Sequence, residues 1–61
     1  AWKDINGQWY YFDAEGYMAT GWIELDGKSY YLDPATGAMY ANTRTPDNCW
    51  VDASGAWVPG A

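Results

Sequence analysis

The run Trp2-Lys3-Asp4-Ile5-Asn6-Gly7-Gln8-Trp9-Tyr10-Tyr11-Phe12-Asp13 returns twenty residues later as Trp22-Ile23-Glu24-Leu25-Asp26-Gly27-Lys28-Ser29-Tyr30-Tyr31-Leu32-Asp33. Trp, the turn Gly, Tyr-Tyr and Asp keep their places. Both runs continue into Gly-x-Met, as Gly16-Tyr17-Met18 and Gly37-Ala38-Met39, the second after one extra residue in Asp33-Pro34-Ala35-Thr36-Gly37. A period of this length marks an array of small units stacked on their neighbours. A third, looser unit follows, Asp47-Asn48-Cys49-Trp50-Val51-Asp52-Ala53-Ser54-Gly55-Ala56-Trp57. In it Cys49-Trp50 stands where Tyr-Tyr stood and Trp57 where Met stood, while Asn42-Thr43-Arg44-Thr45-Pro46 replaces the Gly-Trp strand. End units of a stack are atypical. The division is therefore residues 1–20, residues 21–41, and a degenerate capping unit over 42–61. The chain opens at Ala1 in mid-pattern, which reads as a piece of a longer protein.

Each unit reads as a β-hairpin. Asn6-Gly7 and Asp26-Gly27 are two-residue turn signals flanked by β-formers. Such a turn sets residue 5 against 8, 4 against 9, 3 against 10 and 2 against 11. Alternation then places Trp2, Asp4, Trp9 and Tyr11 on one face, and Lys3, Ile5, Gln8, Tyr10 and Phe12 on the other. Trp22, Glu24, Ser29 and Tyr31 share a face of the second hairpin. Both faces carry apolar groups, and one hairpin is marginal alone, so the units must cover one another. The expected fold is all-β, a solenoid of stacked two-stranded hairpins with hairpins near 2–12 and 22–32 and a shorter element near 49–57. Tyr10, Tyr11, Phe12, Tyr31, Leu32 and Trp50 are the expected core. The Asp-led turns Asp13-Ala14-Glu15-Gly16 and Asp33-Pro34 read as Asx-turns, in which the carboxylate accepts backbone N–H bonds.

Composition narrows the function. Five Trp, six Tyr and one Phe make up 20% of the 61 residues, too many for a few buried anchors. The formal net charge is −5, with Lys3, Lys28 and Arg44 the only basic side chains. Nucleic acid requires the opposite sign, whereas cations and neutral sugars suit an acidic, ring-rich surface. No apolar run reaches membrane-spanning length, so no membrane insertion is expected. There is no His, and Cys49 is the only Cys. This leaves no internal disulfide and no His or Cys metal cluster, and none of the usual acid–base or nucleophilic machinery. The chain is expected to be a non-enzyme without a cofactor.

The stretch from Gly21-Trp22-Ile23 through Gly27-Lys28-Ser29-Tyr30-Tyr31-Leu32-Asp33 to Gly37-Ala38-Met39 resembles the cell-wall-binding, or choline-binding, repeat of Gram-positive surface proteins and lysins. The first unit matches as well, in Asn6 to Asp13 and Gly16-Tyr17-Met18-Ala19-Thr20-Gly21-Trp22. Similar repeats form glucan-binding and clostridial toxin tails. The resemblance covers residues 1–58, loosely after 41. It implies a ligand held between consecutive hairpins, walled by the Gly-Trp tryptophan and the Trp before Tyr-Tyr of one repeat and by the first Tyr of the next, with a Met nearby. Carried over by position, that set is Trp2, Trp9, Tyr30 and Met18. The second junction departs from the pattern, because Ser29 takes the second wall and Cys49 the third beside Trp22, so no complete cage is implied there.

The function this resemblance implies is attachment of a secreted or surface protein to the cell wall through choline or phosphocholine on teichoic acid. A quaternary ammonium has no N–H to donate, so ring faces must recognise it. Asp4, facing Trp9, is either a solvated strand carboxylate or a source of long-range attraction for the cation. The alternatives are a tail that binds glucan or another cell-wall polysaccharide, and a structural spacer.

Overall fold

A computed structural model describes all of residues 1–61. Six strands form three separate antiparallel pairs: β1 (Trp2–Ile5) with β2 (Gln8–Tyr11), β3 (Gly21–Leu25) with β4 (Lys28–Leu32), and β5 (Thr43–Arg44) with β6 (Trp50–Val51). There is no helix, and the molecule measures 33 × 24 × 17 Å. The first hairpin has the expected register, with Trp2 opposite Tyr11, Lys3 opposite Tyr10, Asp4 opposite Trp9 and Ile5 opposite Gln8. Trp22 opposite Tyr31 and Glu24 opposite Ser29 repeat it in the second. Both central residues of each turn have positive φ, 54° and 81° at Asn6 and Gly7, 52° and 79° at Asp26 and Gly27. That is the turn whose twist matches paired strands, and Asn, Asp and Gly tolerate it best.

The Asp-led turns reverse the chain a second time. Asp13 Oδ1 accepts from the amides of Glu15 and Tyr17, both at 2.9 Å. Asp33 Oδ1 accepts from Ala35 at 2.7 Å, and Asp52 Oδ1 from Ser54 at 2.9 Å and Ala56 at 3.1 Å. The chain then returns along its own hairpin, with amide-to-carbonyl bonds from Ala19 to Tyr11, Tyr40 to Tyr31 and Val58 to Trp50. The return segment also ties adjacent units together. Met39 N donates to Trp9 O at 2.8 Å, and Trp57 N donates to Ser29 O at 2.8 Å. The stack is thus held by backbone as well as by rings.

Burial follows from the stacking. Leu32 and Val51 are sealed completely, and Tyr31 and Ala56 nearly so. Of the expected core, Tyr31 and Leu32 are buried, whereas Tyr10, Tyr11, Phe12 and Trp50 are only half-buried. Val51 and Ala56 take their place. Thr45, Val51, Gly55 and Ala56 of the third unit are buried with Tyr31, Leu32 and Gly37 of the second, and none of the first is, so the core sits where the second and third units meet. The third unit is a true, short hairpin, since Thr43–Arg44 pairs with Trp50–Val51. Arg44 lies over the Trp50 ring, 6.0 Å from its centroid.

Candidate functional site

Trp2, Trp9 and Tyr30 meet around one cavity of about 270 Å³ at the junction of the first two hairpins, with Met39 and Ser54 completing its lining. The hairpin register supplies two of the walls. Trp2 and Trp9 are diagonal neighbours across the two strands on the same face, two residue pairs apart along the ladder with Lys3–Tyr10 between them. Tyr30 comes from β4 and meets Trp2 edge to face, at 5.3 Å between centroids and 71° between planes. Tyr11, the cross-strand partner of Trp2, also meets it edge to face, at 5.2 Å and 70°. Trp9 is 44% exposed, so the cavity has one open, ring-faced wall.

Met18 is not in this lining. Its thioether packs on Gly37 in the next unit, where a Cβ would sit 2.6 Å from Met18 Sδ. The Met of the cavity is Met39, one repeat further on, because the return segment of the second unit hydrogen-bonds to Trp9. Ser54 comes from further still, in the turn of the third unit. One cavity therefore draws side chains from all three units. The sequence held a signal for Met39, since it is the Met of the unit that contributes Tyr30. No signal pointed to Ser54.

Electrostatics favour a cation here. The Ser54 hydroxyl donates to Asp52 Oδ1 at 2.6 Å. That bond, with the amides of Ser54 and Ala56 and the charge of Lys28, holds the Asp52 carboxyl below its ordinary 3.8 against the opposing effect of burial. An ionised carboxylate thus stands one hydrogen bond from a lining residue. Asp4 instead accepts from Gly7 N at 3.1 Å and serves its own turn. The rings supply negative faces, each contributing about 0.5–2 kcal/mol to holding an organic cation.

The second junction has a cavity of its own, about 240 Å³, lined by Trp22, Ser29, Cys49 and Trp57. Trp22 and Trp57 stand 6.5 Å apart at 70°. Asp47 Oδ2 accepts from Trp22 Nε1 at 2.8 Å. Burial pushes the nearby Tyr31 hydroxyl above its ordinary 10.0, and the negative charge of Asp47 acts in the same direction.

Known proteins share both the repeat and its stacking. The profile of the choline-binding repeat matches residues 1–43. Choline binding protein F of Streptococcus pneumoniae, solved with a peptidoglycan analogue, is 40% identical with a TM-score of 0.85 over 93% of this chain and 19% of its own. The modular Cpl-1 endolysin, also solved with a peptidoglycan analogue, is 40% identical with a TM-score of 0.82 over 98% of this chain and 18% of its own. Toxin B of Clostridioides difficile is 42% identical over 38 residues, which are 62% of this chain and 2% of the toxin. The chain thus spans a small fraction of each of these relatives. With the profile covering the two hairpins that build the three-ring cavity, this chain belongs to the choline-binding repeat family.

Proposed function

We propose that the first junction holds the trimethylammonium group of choline, and that the module thereby attaches its parent protein to choline-bearing teichoic acid on the bacterial cell wall. The observation that carries this reading is the convergence of Trp2, Trp9 and Tyr30 from two hairpins on one open cavity, with Met39 beside them. A trimethylammonium group offers only methyl surface and diffuse charge. It is matched by ring faces and a thioether, and by a carboxylate held at one remove through Ser54. A few rings, less the cost of ordering the ligand, give a site of roughly millimolar strength. Retention on a polymer then depends on several such sites acting together. In this reading the chain is a non-catalytic, surface-located module, and any chemistry belongs to the rest of the parent protein.

Titration of intrinsic Trp fluorescence with choline, with dextran and with wall fragments tests it. Saturable quenching by choline at millimolar concentration, and by choline-bearing wall fragments at lower concentration, is the expected result. A response to dextran with none to choline replaces this reading with a polysaccharide-binding tail, and no response to any of the three replaces it with a spacer.

A further inference from the structure

A third cavity, of about 280 Å³, is lined by Gln8 of the first unit, by Asp33 and the return segment 38–41 of the second, and by Thr43 of the third. It shares one wall, Met39, with the cavity of the first junction. Backbone fixes the return segment in place, since Met39 N donates to Trp9 O at 2.8 Å and Tyr40 N to Tyr31 O at 2.9 Å. The Tyr40 ring is set against Tyr31, at 5.0 Å between centroids and 88° between planes.

Polar and apolar groups alternate around this cavity. Ala38, Met39 and Ala41 supply apolar surface. Gln8 brings an amide that both donates and accepts, and Tyr40 and Thr43 bring hydroxyls that do the same. Asp33 Oδ1 accepts from the amides of Ala35 at 2.7 Å and Thr36 at 3.2 Å, which leaves Oδ2 as an acceptor. The side chains of Gln8, Tyr40 and Thr43 make no hydrogen bond within the chain, and no side-chain polar atom is buried without a partner, so theirs face water. No basic side chain stands in the lining to meet a phosphate. The chain has no group of three metal-ligating side chains, and a single tyrosine makes no ring cage. Interleaved donors and acceptors over apolar patches match a sugar, whose hydroxyls donate and accept and whose ring carries C–H surface.

This arrangement belongs to one seam. At the other, Lys28 takes the position of Gln8, Asp52 that of Asp33 and Val58 that of Tyr40, by the same register and backbone bonds. The Lys28 charge acts on Asp52 there, and no cavity opens. With neutral Gln8 in place of a lysine, the Asp33 carboxylate is left to a ligand.

We propose that the third cavity is a subsite for a neutral, hydroxyl-bearing sugar ring, and that it reads the polymer on which the choline of the first junction is carried. The source of the sugar rests on the choline reading; the chemistry of the cavity does not. Because Met39 walls both cavities, one ligand can seat its ammonium group in the first and its sugar in the third. The second contact then forms at a high effective concentration, and the module prefers the polymer to free choline.

NMR of the intact chain reads the two cavities separately. The indole N–H signals of Trp2 and Trp9 report the cage, and the Gln8 side-chain amide with the Ala41 and Thr43 backbone amides reports the third cavity. The probes are phosphocholine, a single repeating unit of choline-bearing teichoic acid, and the same unit freed of its choline, at constant ionic strength. Phosphocholine should move the indoles and leave the Gln8 and Thr43 signals in place. The repeating unit should move both sets together, with a midpoint about threefold to tenfold lower than that of phosphocholine. Gln8→Ala with Thr43→Val should bring that midpoint to within about twofold of the phosphocholine value, which itself checks the folding of the variant. If the repeating unit moves the indoles alone, or the variant keeps the preference, the subsite is refuted and the choline cage stands. If phosphocholine moves no indole, the cage is refuted, and the subsite stands only if the choline-free unit shifts Gln8 and Thr43 saturably. The unmodified chain gives these answers even if the variant misfolds.

Discussion

Met39 packs directly on Gly55, so closely that a Cβ on Gly55 would overlap the thioether. The contact joins the second unit to the third, and its Met also lines the first cavity. Gly55→Ala therefore does two things. It strains a backbone held at φ 88°, at a cost of about 1–2 kcal/mol. It also displaces the flexible Met39 side chain. Gly16→Ala is the control, because its φ is 89° and nothing lies within 4 Å. Both variants should melt lower by similar amounts, and only Gly55→Ala should weaken choline binding. Calorimetric melts with a fluorescence titration check this, and equal choline affinity in the two variants would remove Met39 from the site.

Ligand and fold should be linked at the first junction, because Trp2 and Trp9 face Tyr30 only while the hairpins are docked. A millimolar site needs tens of millimolar choline to stabilise the fold by about 1–2 kcal/mol. In a domain this small that raises the melting temperature by several degrees. Trp9→Ala should lose most of the gain. A shift no larger than that from sodium chloride at equal ionic strength refutes the cage, and a full shift in Trp9→Ala places the ligand elsewhere.

Truncation separates stacking from hairpin stability. Every one of the seven buried residues lies at Tyr31 or beyond. A peptide of residues 1–20 therefore carries turn and register but no sealed side chain, and it should be largely unfolded by circular dichroism and amide exchange. A cooperative melt from this peptide would contradict the neighbour-contact account.

Acid should loosen the third unit through Asp52. Its carboxyl is held below the ordinary 3.8 in the folded chain, first by the Ser54 hydroxyl. A carboxyl depressed by folding stabilises the fold above its unfolded pKa, and that contribution disappears as pH falls through the folded value. Stability should thus decline on acidification below about pH 4, and Asp52→Asn should flatten that limb. An unchanged acid limb in the variant would show that another carboxyl carries it. Tyr31 acts at the other end, since a hydroxyl raised by burial favours the folded chain until pH climbs above its ordinary 10.0.

Local pattern made the hairpins legible from sequence. Asn6-Gly7 and Asp26-Gly27 permit one turn geometry, and that geometry fixes which side chains share a face. Trp2 with Trp9 followed directly, and Tyr30 followed once the repeat was matched to its family. Met18 did not, because the chain's return to the preceding hairpin is a contact between distant residues. The bond from Met39 N to Trp9 O leaves no trace in spacing, and it moves the Met of the cavity one repeat along. Half-burial of Tyr10, Tyr11 and Phe12 is likewise set by contacts with segments distant in sequence and not by residue type, for Val51 in the other end unit is sealed. Trp57 was legible as a stand-in for Met, but its indole reaches the second cavity by the same shift.

That bond from Met39 to Trp9 also gives the stack a mechanical character. The junction is stitched by backbone at one point and by side chains around the cavity, and a bound cation would touch both sides of the seam. A ligand in this position acts as a rivet. Tension that parts the seam would pull one wall of the cavity away from the others, so a seated cation would resist that parting for as long as it stays bound. Anchorage under load is then set by how many closed seams lie in series with the force, a quantity that an affinity measured at rest does not report.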